Sequence, residues 1–315
     1  MLSLARLKVL SEVVRRGSFS AAADALDYTQ SAVSQAIARL EAEIGAMLVV
    51  RDRRGVRPTV AGAALLEHAE LIFAQVQAAE DDVAAVLGIR GGRLRVASFP
   101  SAGAALMPQA IAGFRRRHPN VKLSLAEGEP EEIAPRLRSG EFDLALLFEF
   151  PGVQEQTEAI AGVSRLEVTP LLDDPMHVAL PAEHALASQP ELTLWDLRSE
   201  DWVQTAASSP CARHVVRSCL AAGFEPHVAF ESDDYETVQG LVAAGVGVAL
   251  IPRLALTRLH TGIVVRSLEP ASPRRVVVAA VPTGPGVAPA ASVMLEILSR
   301  IAPGVADARG RVAAG

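Results

Sequence analysis

The run Thr29-Gln30-Ser31-Ala32-Val33-Ser34-Gln35-Ala36-Ile37-Ala38-Arg39-Leu40 constrains this chain more than any other segment. Val33, Ile37, Leu40 and Ile44 recur at steps of three and four, the spacing of one apolar face of an α-helix. Thr29 precedes the run, where its hydroxyl can cap the free amides of the first turn. Ser31, Ser34, Gln35 and Ala38 fall on another face, short and uncharged except for Arg39 beside it. A face meant only for solvent normally carries Lys and Glu. Short donors and acceptors suit close approach to base edges in a major groove, where Gln and Ser read hydrogen-bonding patterns.

The flanking segments agree. Leu7, Leu10, Val13 and Val14 mark a first helix ending at Gly17, and Ser20 to Leu26 is a short Ala-rich helix that another can cross closely. Asp27-Tyr28-Thr29 is a tight joint, so the three helices predict a helix-turn-helix. Leu48 to Pro58 reads as a two-stranded wing with a basic tip. Its Arg51, Arg53 and Arg57 suit phosphates or the minor groove, contacts that anchor without specifying sequence. The whole chain carries −6, which alone argues against nucleic acid. Residues 1–58, however, hold nine Lys/Arg against six acids, a net +3 that leaves −9 for the remainder. A basic head on an acidic body fits local contact with DNA.

The run Gly17-Ser18-Phe19-Ser20-Ala21-Ala22-Ala23, then Thr29 to Ile37, Leu40-Glu41, Ile44-Gly45 and Arg57-Pro58-Thr59-x-Ala61-Gly62, resembles the N-terminus of LysR-type transcriptional regulators. The resemblance extends in length and landmarks over nearly the whole chain. One departure is Val49, where that family commonly has Phe, a change expected to alter packing under the wing. The resemblance implies a partner in double-stranded promoter DNA and a small-molecule effector. It also implies homodimers joined into tetramers, and RNA polymerase as a further partner.

From Thr59 the pattern becomes one long helix. Gly62, Ala69, Val76 and Val83 alternate with Leu65, Ile72, Ala79 and Val86, a heptad seam that predicts coiled-coil pairing. A Gly/Arg-rich break follows at Gly88 to Gly92. Beyond it strands and helices alternate: strand 93–97, helix 104–117, strand 121–126, helix 131–138, strand 143–148. That βαβαβ order predicts a parallel sheet with right-handed crossovers. A second unit has strands near 168–172, 177–180, 228–230 and 246–250, with helices near 212–222 and 235–244. Strand 275–281 and helix 287–301 return to the first unit.

The predicted architecture is therefore an N-terminal winged helix-turn-helix (α with a small β wing), a long linker helix, and an α/β two-lobed effector domain resembling periplasmic binding proteins. The expected boundaries are 1–58 for the DNA-binding head, 59–88 for the dimerisation helix and 89–302 for the effector domain. Lobe I takes about 92–162 and 269–302, lobe II about 163–268, and 303–315 form a flexible tail. Met1 to Arg6 lacks the layout of a signal peptide, and the longest apolar stretch, Leu241 to Pro252, is broken by two glycines and too short for a bilayer. A cytoplasmic protein with no membrane partner is expected.

In such a cleft, ligands sit beyond strand C-termini and at helix N-termini. That places Ser98 and Ser101 after the first strand, Glu129 after the second and Phe148 at the end of the third. From lobe II come Thr205, Ser208 and Cys211 at one helix start and Tyr235 at another. Ser101 matches the family's frequent effector hydroxyl. Glu129 and Phe148 stand where some relatives have a small hydroxyl or a basic residue, which weighs against a simple dicarboxylate. The seven His form no ligand-spaced cluster, and no His-Glu-x-x-His, Cys-x-x-Cys or Gly-x-Ser-x-Gly occurs, so neither enzyme, metal nor cofactor is expected. Cys211 and Cys219, the only cysteines, lie eight apart near one helix. Some redox-sensing LysR-type members carry two cysteines at similar separation, so redox control is the alternative. Arg213, His214 and the helix start are the groups able to lower the Cys211 pKa.

Overall fold

In the computed structural model, which describes residues 2–52, 55–86, 92–151, 166–189, 191–270, 272–283 and 288–310, the N-terminal segment forms three helices and a hairpin. These are α1 (Leu4–Arg16), α2 (Phe19–Leu26), α3 (Gln30–Ile44), β1 (Val49–Asp52) and β2 (Gly55–Pro58). Ser18 caps α2 by accepting from the Ala21 amide at 3.3 Å. Asp27 ends it at φ 53°, the left-handed conformation in which Asp is among the tolerated side chains. Leu7, Leu10, Val13, Phe19, Ala22, Val33, Ile37 and Leu40 bury together, so the apolar steps in the sequence are the inner faces of three crossed helices.

The wing is fastened at both ends. The Val56 amide donates to the Gly17 carbonyl at 2.9 Å, and a Cβ on Gly55 would stand 2.8 Å from that same oxygen. At the other end, Glu41 Oε1 accepts from the Leu48 amide at 2.7 Å. Val49 is buried under the hairpin. Helix α4 (Val60–Val86) then runs for 27 residues, about 40 Å. It starts against the hairpin so closely that a Cβ on Gly62 would lie 1.9 Å from the Leu48 carbonyl oxygen. Along the expected seam, Ala69 is buried while Ile72 and Val76 stay 37% and 38% exposed in the single chain. The side chains of Val83 and Val86, and the break at 87–91, lie outside the described residues.

The second unit is built on a seven-stranded sheet. Its strands are β3 (Arg93–Ser98), β4 (Lys122–Glu127), β5 (Leu144–Glu149), β6 (Leu166–Pro181), β9 (Ala249–Pro252), β10 (Ile263–Arg266) and β11 (Arg274–Pro282). Their order is β10-β6-β11-β5-β3-β4, with β9 also on β6. A separate parallel pair joins β7 (Asp201–Gln204) to β8 (His227–Glu231). Helices α5 (Pro100–Ala105), α6 (Met107–Arg117), α7 (Pro130–Arg138), α8 (Pro210–Ala221), α9 (Tyr235–Ala243) and α10 (Pro289–Gly310) complete it.

The strands of the βαβαβ run are parallel as expected, β3 pairing with β4 and β5, while β11 joins the same sheet antiparallel to β5 and β6. Three expectations are corrected. The strands expected at 168–172 and 177–180 are one strand, β6, in which Pro170 and Pro175 look like breakers. Its first half pairs with β11 alone, and an edge tolerates proline. The ladder also absorbs a bulge opposite Val277/Val278. The helix expected at 104–117 is two, divided at Leu106. Finally, the tail expected from Pro303 is helical to Gly310. A proline inside a helix costs about 3 kcal/mol, but Ala302 and Val305 are buried on either side of it and hold the helix on. Strands β7 and β10 were not anticipated at all.

Candidate functional site

The N-terminal unit presents one face of α3. Thr29 Oγ1 accepts from the Ala32 amide at 3.2 Å and lies 3.0 Å from Ser31 Oγ, so cap and first turn share a hydroxyl pair. Gln30, Ser31, Gln35 and Arg39 are exposed and Ser34 half-buried, while Val33, Ile37 and Leu40 are fully inside. Of the nine residues expected to meet DNA, Ser31, Gln35 and Arg39 share the unburied side of α3, Thr29 and Gln30 are exposed at its start, and Ser34 sits at the edge of its buried face. Tyr28, at the joint and 52% exposed, was not singled out from the sequence. Its signal was a large amphipathic ring in a turn of small polar residues.

Arg51 is placed on the hairpin with its Cζ 4.0 Å above the Phe19 ring. The stacked guanidinium is held flat, and its edge donors stay available. Arg57 is exposed on the paired strand. Arg53 lies outside the described residues.

In the second unit, a cavity of about 30 Å³ is lined by Phe99, Pro100, Ser101, Glu129, Thr205, Ser209, Cys211, Asp233, Tyr235 and Arg275. That is room for about one water. Of the residues expected from the sequence, Ser101, Glu129, Thr205, Cys211 and Tyr235 line it. Three do not. Ser98 is fully buried and donates to the Phe99 carbonyl at 3.1 Å. Phe148 lies behind the wall, its ring edge-on to Phe99 with centroids 4.8 Å apart. Ser208 is exposed, and its carbonyl accepts from Arg213. Ser209, one residue on, faces the cavity instead and caps α8 through the Ala212 amide at 3.0 Å.

The residue that organises the cavity was missed. Arg275, 1% exposed, stands on β11 directly opposite Asp174 on β6. Its Nε donates to Asp174 Oδ2 at 2.9 Å, Nη2 to Ser101 Oγ at 2.6 Å, and Nη1 reaches Cys211 Sγ at 3.6 Å. The guanidinium also lies 4.7 Å from the Phe99 ring centroid and 4.5 Å from that of Phe148. Asp174 is itself fully buried and accepts from the Leu254 amide at 2.9 Å. Burial works against the charge of Arg275, but Asp174 first, then Cys211 and Tyr235, together outweigh it and raise its pKa above the usual arginine value. The only sequence signal was a charged residue opening an otherwise apolar strand.

Burial pushes the Glu129 carboxyl up, opposed by the nearby Arg275. It likewise raises the Cys211 thiol against the pull of Arg275, and takes Cys219 up to about 12. The groups that could have activated Cys211 do not do so, and both cysteines are buried, Cys211 in the cavity lining. Arg213 pairs with Glu131 at 2.6 Å rather than with the thiol. His214 stacks on Phe150 at 3.9 Å and burial lowers it to about 4, leaving it neutral near pH 7. Both cysteines are buried on α8, about 12 Å apart along the axis. Among the described residues no cluster of His, Cys, Asp or Glu could hold a metal ion, and no helix is long and apolar enough to cross a membrane.

Comparison with known proteins agrees with this geometry. Residues 4–63 match the family described as bacterial regulatory helix-turn-helix protein, lysR family, and residues 88–302 match the LysR substrate binding domain. The probable HTH-type transcriptional regulator LrrA of Synechococcus elongatus is 33% identical over 305 residues, 96% of this chain and 99% of that protein. Among solved structures, full-length OxyR of Pseudomonas aeruginosa superposes with a TM-score of 0.69 at 22% identity, covering 95% of this chain and 94% of that one. Full-length CbnR in complex with its target DNA gives 0.64 at 21% identity, covering 95% and 99%. At such identities the two structures speak to the fold.

Proposed function

The chain belongs to the LysR family of transcriptional regulators, and on that premise we propose that α3 reads base edges while the cavity crossed by Arg275 senses a small molecule. Family membership makes it a DNA-binding regulator whose promoter binding answers to an effector. The residue roles are our reading. The carrying observation is that Ser31, Gln35 and Arg39 are exposed on the side of α3 away from its buried face, with Gln30 exposed in its first turn. Gln and Ser there act on base edges in the major groove, and Arg51, Arg53 and Arg57 act on phosphates. Ser101, Glu129, Thr205, Cys211, Tyr235 and Arg275 face the effector, which enters only as the cavity widens from its present 30 Å³ or so.

The reading further takes the protein to be a cytoplasmic non-enzyme that acts as a homodimer or as a tetramer built from two dimers and works with RNA polymerase. Ile72 and Val76 support the dimer, since apolar side chains on one stripe of a long helix gain from a second copy. Footprinting of the purified protein on the DNA flanking its own gene tests the whole proposal. A protected site whose selectivity is lost in Gln35→Ala supports it, and unchanged selectivity sinks the assignment of α3.

A second reading, control by oxidation, has one observation in its favour: Cys211 Sγ stands in the cavity wall beside Arg275. Against it, burial disfavours both thiolates, and about 12 Å of helix separates two sulfurs whose Cα atoms must come within about 7 Å to bridge. The ligand reading is favoured. A footprint that changes with peroxide alone, and no longer changes in Cys211→Ser, would reverse that preference.

A further inference from the structure

We propose that the effector of this cavity carries a protonated nitrogen that pairs with Glu129, making it a small ammonium cation or a zwitterion, and that purely anionic effectors are excluded. The proposal rests on reading the cavity as the effector site and deepens it by naming the ligand's charge.

Asp174 is matched by Arg275, and Glu131 by Arg213. Asp233 Oδ1 accepts from the Ala206 amide at 3.0 Å, and Glu231 Oε2 from the Ala207 amide at 3.1 Å. Glu129 is different. It lines the cavity and is half-buried, yet its carboxylate makes no hydrogen bond or ion pair among the described residues. It stands immediately ahead of α7, where a carboxylate could cap the helix, but only its backbone carbonyl serves, accepting from the Ile133 amide at 3.0 Å.

Removal from water without a partner is unfavourable for a carboxylate, and its raised pKa is the expected response. A ligand that brings an N–H cation relieves that penalty.

Arg275 does not reverse the preference. Its charge is already matched by Asp174, and three of its nitrogens are engaged by Asp174, Cys211 and Ser101. A guanidinium has five N–H donors, so two remain to hold a neutral or carboxylate oxygen. A ligand with an anionic group alone would meet those donors but also share the cavity with the carboxylates of Glu129 and Asp233. A zwitterion satisfies both ends of the wall, and so does a hydroxy-amine.

The test uses the full-length protein, with thermal unfolding followed by tryptophan fluorescence. Ethanolamine, glycine and putrescine are compared with acetate, succinate and phosphate at matched ionic strength. Amine-bearing probes should stabilise the wild type and act about tenfold more weakly on Glu129→Gln, since the charge-assisted contact is lost. The anions should stabilise neither. Equal action of the amines on both proteins, no action included, overturns the proposal. Stabilisation by anions that disappears in Ser101→Ala overturns it too, while leaving the cavity as the effector site. An amine response of the DNA footprint that survives both Ser101→Ala and Thr205→Trp would instead remove the effector from this cavity, and with it the reading beneath.

Discussion

Replacing Arg275 with Met should destabilise the C-terminal unit severely, while replacing Asp174 with Leu at the same time should restore most of the loss. Both partners are essentially without solvent contact, at 1% and 0% exposure. In Arg275→Met, Asp174 keeps the Leu254 amide but loses the cation it pairs with, and Ser101 Oγ loses the Arg275 donor. Breaking a buried pair from one side costs about 3–5 kcal/mol, because the remaining charge is left without compensation. The Met side chain retains much of the contact with Phe99 and Phe148, so little of the effect is a cavity. For a unit of this size each kcal/mol moves Tm by roughly 2–4 °C, giving a fall on the order of 6–20 °C.

The measurement is unusually clean because Trp195 and Trp202, the only two tryptophans, both belong to the C-terminal unit. Their fluorescence follows that unit while the DNA-binding head is silent. Asp174→Leu alone should be as damaging as Arg275→Met, and the double variant should recover to within about 1–2 kcal/mol of wild type, as apolar replacements of buried ion pairs do. A small effect of either single variant, or additive losses in the double, would refute the account of Arg275 and Asp174 as one coupled unit.

Three further outcomes are expected. Gln35→Ala should reduce discrimination between promoter and random DNA by about 1–3 kcal/mol, whereas Arg57→Ala should weaken both alike and lower the salt slope, read by fluorescence anisotropy at several salt concentrations. Ile72→Asp with Val76→Asp should lower the oligomer mass in analytical ultracentrifugation, since charge buried in a helix seam is costly; an unchanged mass refutes the dimer seam. His214, held near 4 in the fold against about 6.5 when unfolded, binds fewer protons when folded, so its contribution to stability is present above pH 6.5 and is lost as pH falls toward 4, by up to about 3 kcal/mol. His214→Phe should flatten that part of the Tm profile relative to wild type, and the comparison cancels the opposite trend from Glu129.

The head was legible because its signals are local. The cap at Thr29, the apolar steps at Val33, Ile37 and Leu40, and the joint at Asp27 each act within a few residues and each appears as expected. The cavity was half legible for the same reason: Ser101, Thr205, Cys211 and Tyr235 sit at or near helix starts that periodicity locates. Arg275 was not, since its meaning depends on a strand register that puts it across from a residue 101 positions away. Strand β6 was cut in two because Asp173-Asp174-Pro175 interrupts the apolar run, and only the pairing pattern shows that its first half has one partner strand. Strands β7 and β10 span four residues each, too short for alternation to rise above the surrounding apolar sequence.

What Arg275 offers a regulator is a contact of suitable size. Phe148, Phe150, Cys211 and Val215 belong to one continuous core with Leu94 and Phe99, so separating the lobes widely would expose apolar area that hydrogen bonds alone do not recover. A more economical change begins inside the cavity. A ligand oxygen held by the two spare N–H donors would draw the Nη atoms away from Ser101 and Cys211 while Asp174 keeps Nε, leaving the ion pair that joins β6 to β11 intact. The Arg275–Ser101 bond is charge-assisted and buried, worth about 1.5–3 kcal/mol. Coupling between an effector and a second site is typically 1–3 kcal/mol. Exchanging that single bond for one to the ligand is therefore enough to account for an ordinary allosteric response, provided the exchange favours one arrangement of α5 over another. Ser101→Ala removes the bond in advance, and should yield a protein whose footprint no longer depends on effector because the two arrangements have lost what distinguishes them.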